Sequence, residues 1–177
     1  MDVFVGDLTM MSSDLRAGII TNLGGFFNRC MSGIAGATCT VRVVEESVFS
    51  MNNTDLLCYI VQGKASSVVK NFANMPNAPV GTHKGWTNVN AAARSAASEL
   101  YFGEISNADA DIISKLIFHE LMHNKGLATN HDLHSIRGIG LGAATVTPGS
   151  VLTTADIAFM AGVIPNAVNQ WSGGFSF

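Results

Sequence analysis

Apolar residues recur at helical spacing through residues 12–31, where Leu15, Ile19, Leu23, Phe26 or Phe27, and Met31 share one face and Ser12 or Ser13 is placed to cap. Residues 38–44 alternate instead: Cys39, Val41 and Val43 stand against Thr40 and Arg42, the pattern of a half-buried strand. Residues 55–62 are apolar almost throughout, which predicts a central strand buried on both faces. A short helix is expected over 66–74. A loop follows over 74–84, carrying Pro76, Pro79 and Gly81. Another strand is read over 99–105, ending at the polar turn Ser106-Asn107.

The clearest helix spans about 107–125. Ser106 with Asp109 fits a capping box, Asp109 and Asp111 lie in its positive first turn, and Gly126 is placed to end it. Leu116, Ile117, Phe118, Leu121 and Met122 make it apolar nearly all round, so it should run through the core. A Gly-, Ala- and Thr-rich loop is expected over 138–149. Thr153 with Asp156 then opens a last helix as a second capping box, running to about residue 162. The expected fold is a small, single α+β domain over residues 1–177, with a mixed sheet packed on one buried helix.

Composition narrows the function classes. Hydrophobic residues make up 47% of the chain and charged residues only 13%, against about 25% in ordinary domains, so disorder is excluded. A net charge of −3 with ten scattered basic residues gives no electrostatic case for nucleic acid or an anionic membrane as partner. No stretch reaches the 18 or so uninterrupted apolar residues of a membrane helix. The N-terminus shows no signal-peptide pattern, so the expectation is a cytoplasmic protein, one exported by dedicated machinery, or a domain excised from a larger polypeptide, the last two suiting a toxin or effector. Cys30, Cys39 and Cys58 are an odd set and read as small buried hydrophobes.

The central helix carries the chemistry. His119-Glu120-Leu121-Met122-His123 is HExxH, which chance places in a chain of this composition about 0.004 times. Histidines four apart project from one helical face and suit one zinc ion, with Glu120 beside it to take a proton from water. Buried in an apolar helix, two His and a Glu need partners, and a metal supplies them. A catalytic zinc takes a third protein ligand. No Glu follows Glu120, so the candidates are His131, then His134, then Asp132; Asp156 is spoken for as a capping acid. Among the remaining conspicuous residues, Trp86 and Trp171 read as core or interface aromatics and His83 as a surface histidine. The glycine run 138–142 lacks a phosphate loop's lysine and reads as a flexible segment near the site.

The stretch HELMHNKGLATNHD, residues 119–132, resembles the zinc-binding stretch of the metzincin metallopeptidases, HExxHxxGxxH, and of their adamalysin-like members, HExxHNxGxxHD. His119, Glu120, His123, Asn124, Gly126, His131 and Asp132 match in identity and order. Two extra residues separate Gly126 from His131, and Thr129 stands where the family has its third histidine. Met160, the one methionine after the motif, falls in the last predicted helix and reads as core rather than as the family's Met-turn. The resemblance implies that the strand read over 99–105 is the substrate-binding edge strand. The same stretch is also similar to the aspzincins, in which Asp132 would be the third ligand. Peptide deformylases, whose third ligand is a cysteine, do not fit the surroundings of Cys58. The implied fold is zincin-like, and the implied activity is that of a zinc-dependent endopeptidase acting on protein or peptide substrates. A zinc amidase or deacylase acting on a small or cell-wall substrate is the alternative; the third reading is a non-catalytic module, with a structural zinc or with none, His119 and His123 then being core histidines satisfied by backbone carbonyls.

Overall fold

A computed structural model describes residues 1–45, 50–52, 54–68, 84–90, 95–127, 140–142, 145–165 and 173–174. In chain order the elements are β1 (Asp2–Asp7), α1 (Ser13–Met31), β2 (Thr40–Val44), β3 (Ser50–Met51), β4 (Leu56–Val61), β5 (Gly85–Asn90), β6 (Ser95–Tyr101), α2 (Ala110–Asn124), α3 (Thr154–Val163) and β7 (Gly173–Gly174). Five strands form one mixed sheet in the order β2-β1-β4-β6-β5, parallel throughout except for the antiparallel edge strand β5. β3 and β7 form a separate antiparallel pair.

The fold is α+β, as expected. β4 is buried at every position because it is interior and covered on both faces, which is what its continuous apolar run encodes. Its alternate residues divide between two clusters. Leu56, Cys58 and Ile60 join Val3, Val5 and Leu100 under the helices, while Leu57, Tyr59 and Val61 join Phe4 and Tyr101 on the opposite face. α2 lies on the first face and is buried at every residue from Ile112 to Asn124. Phe118 of α2 meets Phe26 and Phe27 of α1 at ring-centroid distances of 5.7 and 5.2 Å. Met160 of α3 is fully buried in the same cluster, a core position. All three cysteines are unbridged; Cys30 and Cys58 are buried and Cys39 is half-buried. Among the described residues no helix is long and apolar enough to cross a membrane.

Several boundaries differ from expectation. Ser12 caps α1 and Thr153 with Asp156 forms the capping box of α3. In α2, however, the cap is Asp109, whose side chain accepts from Ile112 N–H at 2.9 Å, and no Ser106–Asp109 box opens the helix. Asn107 has φ of 53°, left-handed backbone that a right-handed helix cannot run through, so the helix starts after it. The strand read over 99–105 ends at Tyr101 and passes into a 3₁₀ turn, Phe102–Glu104. It is not the sheet edge: β6 pairs with β4 on one side and β5 on the other, and β5 is the edge. Of the helix expected over 66–74, Ser66 ends a 3₁₀ turn, Lys64–Ser66, Ser67 and Val68 are not helical, and residues 69–74 lie outside the described residues.

Candidate metal centre

The HExxH segment occupies the last turns of α2, with His119, Glu120 and His123 at 8%, 6% and 6% exposure. The two imidazoles meet edge to face, with ring centroids 4.7 Å apart and Nε2 atoms 3.2 Å apart. Each ring is oriented through its other nitrogen. Nδ1 of His119 lies 2.8 Å from the Leu141 carbonyl oxygen and Nδ1 of His123 lies 2.9 Å from that of Leu127. A carbonyl only accepts, so both Nδ1 atoms donate, and in the neutral rings both Nε2 atoms carry lone pairs.

The two Nε2 atoms are then acceptors 3.2 Å apart, and a proton or a metal cation held between them satisfies both. Two nitrogens bound to one tetrahedral zinc at 2.0–2.1 Å stand about 3.3 Å apart. The donor set and its spacing therefore fit zinc, and the carbonyl bonds on Nδ1 are the outer contacts that metal-ligating histidines generally make.

The glycine of the motif has a local cause here. Gly126 has φ of 100°, and behind it Gly126 N–H donates to His123 O while Leu127 N–H donates to Met122 O, both at 2.9 Å. This pairing closes the helix as a Schellman cap. It also brings the Leu127 carbonyl back over the last turn, where it accepts from His123.

Glu120 points the other way, onto the sheet. Thr87 Oγ1 of β5 donates to Glu120 Oε2 at 2.6 Å and lies 2.9 Å from both the Glu120 main-chain oxygen and Ser98 Oγ. Ser98 Oγ donates to the Glu120 carbonyl at 3.3 Å and accepts from Asn124 Nδ2 at the same distance. Cys58, Ser98 and Thr87 stand in register across β4, β6 and β5, so this face of the sheet turns polar toward its edge. Gly85 leaves room there: a Cβ would lie 2.5 Å from Glu120 Oε1 and would displace that side chain. Burial, opposed by the Thr87 hydrogen bond and reinforced by the negative charge of Glu99, pushes the Glu120 carboxyl up to about 8.

The structure brings His119 and His123 together, while the Glu120 side chain faces the sheet at Thr87. The third-ligand candidates His131, Asp132 and His134 lie outside the described residues, as do His83 and Trp171. Among the described residues no group of three His, Cys, Asp or Glu side chains is placed to hold a metal. Trp86 packs half-buried against the Tyr59–Tyr101 cluster. Residues 140–142, expected to be flexible, are instead tied down: all three N–H groups donate to Asp156 at 3.1 Å. Sequence reading missed Thr87, Ser98 and the Leu141 carbonyl. Thr87 and Ser98 carry a faint signal as hydroxyls at inward strand positions; a main-chain carbonyl carries none.

No family model, curated protein or solved structure matches this chain.

Proposed function

We propose that the protein is a zinc-dependent endopeptidase. The observation that carries the reading is the pair of imidazoles whose Nε2 atoms stand 3.2 Å apart, each tied through Nδ1 to a backbone carbonyl. His119 and His123 would hold the metal, with His131 as third ligand ahead of His134 and Asp132. Zinc so held supplies Lewis acidity, acidifying water and polarising a peptide carbonyl.

Glu120 is the general base: it takes the proton of the attacking water and hands it to the leaving amine. Its raised proton affinity suits both halves of that exchange, and the charge of a nearby cation draws the carboxyl back toward ionisation. Thr87 fixes Oε2, so the carboxylate keeps one orientation. Peptide rather than small-molecule chemistry is supported by β5. Among the described residues it has a strand on one side only, and an extended substrate can add to such an edge by main-chain hydrogen bonds.

Mass-spectrometric cleavage of a diverse peptide library tests the reading, with a chelator and Glu120→Gln as controls. Internal cleavage abolished by both is the expected result. Zinc-replete, folded protein that cuts no peptide but releases an acyl or amide group from small substrates would replace it with the amidase reading. The ligand order is checked by metal analysis. His131→Ala should lose more than about a hundredfold in zinc affinity, since a ligand matters more than its outer contacts, while His134→Ala keeps stoichiometric zinc. The reverse pattern would make His134 the third ligand.

A further inference from the structure

Asp156 is fully buried, and its capping of α3 accounts for only part of its surroundings. Oδ2 accepts from Thr153 N–H and Oγ1, both at 2.8 Å. The carboxylate also receives the consecutive N–H groups of Gly140, Leu141 and Gly142 at 3.1 Å. Three successive N–H groups converging on one anion form a backbone nest, and here the anion is the protein's own side chain. A side chain at position 140 is not admitted, because a Cβ would overlap the Val151 carbonyl oxygen and crowd Thr153 and Asp156.

The nest has a consequence on its far side. The peptide joining Leu141 to Gly142 is planar, and in a trans peptide the N–H and C=O point in opposite directions. Gly142 N–H points at Asp156 Oδ1, and the Leu141 carbonyl points away from it, 2.8 Å from Nδ1 of His119. One peptide plane thus has Asp156 on one side and His119 on the other.

Resting on the zinc reading of the site, we propose that Asp156 is a positioning residue for the metal: by holding the Leu141–Gly142 peptide it fixes the orientation of His119 and the nitrogen that carries its proton. Asp156 touches neither metal nor substrate. His123 has its own support in the Schellman cap, so the effect is specific to His119.

The test compares Asp156→Asn with Thr153→Ala, both checked for folding by circular dichroism. Thr153→Ala removes the capping hydroxyl but leaves the carboxylate on the nest. Zinc affinity, measured by competition with a chromophoric chelator, should fall about ten- to hundredfold in Asp156→Asn, the usual size of an outer-contact effect, and stay within about threefold of wild type in Thr153→Ala. The second readout needs no metal. ¹⁵N NMR of the metal-free protein at pH 8 should find the His119 proton on Nδ1 in wild type and partly moved to Nε2 in Asp156→Asn. Folded Asp156→Asn with wild-type affinity, or wild-type His119 protonated on Nε2, would overturn the proposal. A wild type that binds no zinc yet shows the tautomer shift would refute the zinc reading and leave the positioning role standing.

Discussion

Asp7, at the end of β1, and Glu120, within α2, are carboxylates with little exposed surface, at 3% and 6%, Glu120 being the more deeply enclosed. Asp7 accepts from Thr9 N–H and Oγ1 at 2.9 and 2.8 Å, Met11 N–H at 3.0 Å and Arg16 Nε at 2.9 Å. Burial alone would raise its carboxyl, but the bonds from Thr9, Met11 and Arg16 more than offset burial and hold it below the ordinary Asp value. Among the described residues Glu120 has one side-chain donor, Thr87, and burial prevails, pushing it to about 8. The contrast separates two uses of a buried acid. With its lone pairs filled, Asp7 is a fixed anion that ties the start of α1 to the sheet; with few donors, Glu120 retains an affinity for protons that a general base can use.

The comparison breaks most sharply at Glu120. Glu120→Gln keeps the shape of the side chain and a carbonyl to accept from Thr87 but cannot take a proton. Turnover should fall about 10²–10⁴-fold, the span that general-base catalysis supplies, with zinc content unchanged. Steady-state kinetics beside metal analysis checks both halves, and activity equal to wild type would remove Glu120 from the mechanism. Thr87→Val, which removes that donor at constant shape, sharpens the comparison. It should reduce kcat about tenfold, on the order of one charged-group hydrogen bond, with KM and zinc affinity preserved. An equal change in KM would mean that Thr87 acts through substrate binding along β5.

The smallest effect is expected at the other carboxylate. Because the folded-state pKa of Asp7 is depressed, its ionised form contributes stability that is present above the ordinary Asp value near 3.8 and lost as pH falls through the folded value. Asp7→Asn should therefore lower stability at neutral pH and flatten the acid limb of the curve. Urea denaturation at a series of pH values reads both, and an unchanged acid limb would mean that the donors around Asp7 do not favour its charge.

These differences explain how far the sequence could be read. α1, β4, α2 and α3 carry their own signals: apolar periodicity, a run buried on both faces, and caps at Ser12 and Thr153. β1 and β5 went unread. The apolar run of β1 is short and acquires meaning only between β2 and β4, while β5, Gly-Trp-Thr-Asn-Val-Asn, is a polar edge strand recognisable by its partner alone. The candidate site divides the same way. HExxH is local, and helix geometry makes its two histidines converge. The Leu127 and Leu141 carbonyls, the Thr87 hydroxyl and the grip of Asp156 on residues 140–142 are contacts between segments, which no local pattern records. Asp156 is the instructive case, because its capping role was legible and complete in itself, and its second role exists only where the chain returns to it.

Zinc titration of chelator-treated protein, with internal peptide cleavage followed by mass spectrometry, tests the central claim most directly. The account expects no cleavage in the metal-free protein, recovery that saturates at one zinc per chain, and no recovery in His123→Ala. Cleavage that survives metal removal, or folded wild-type protein that takes up zinc without recovering any, would contradict it.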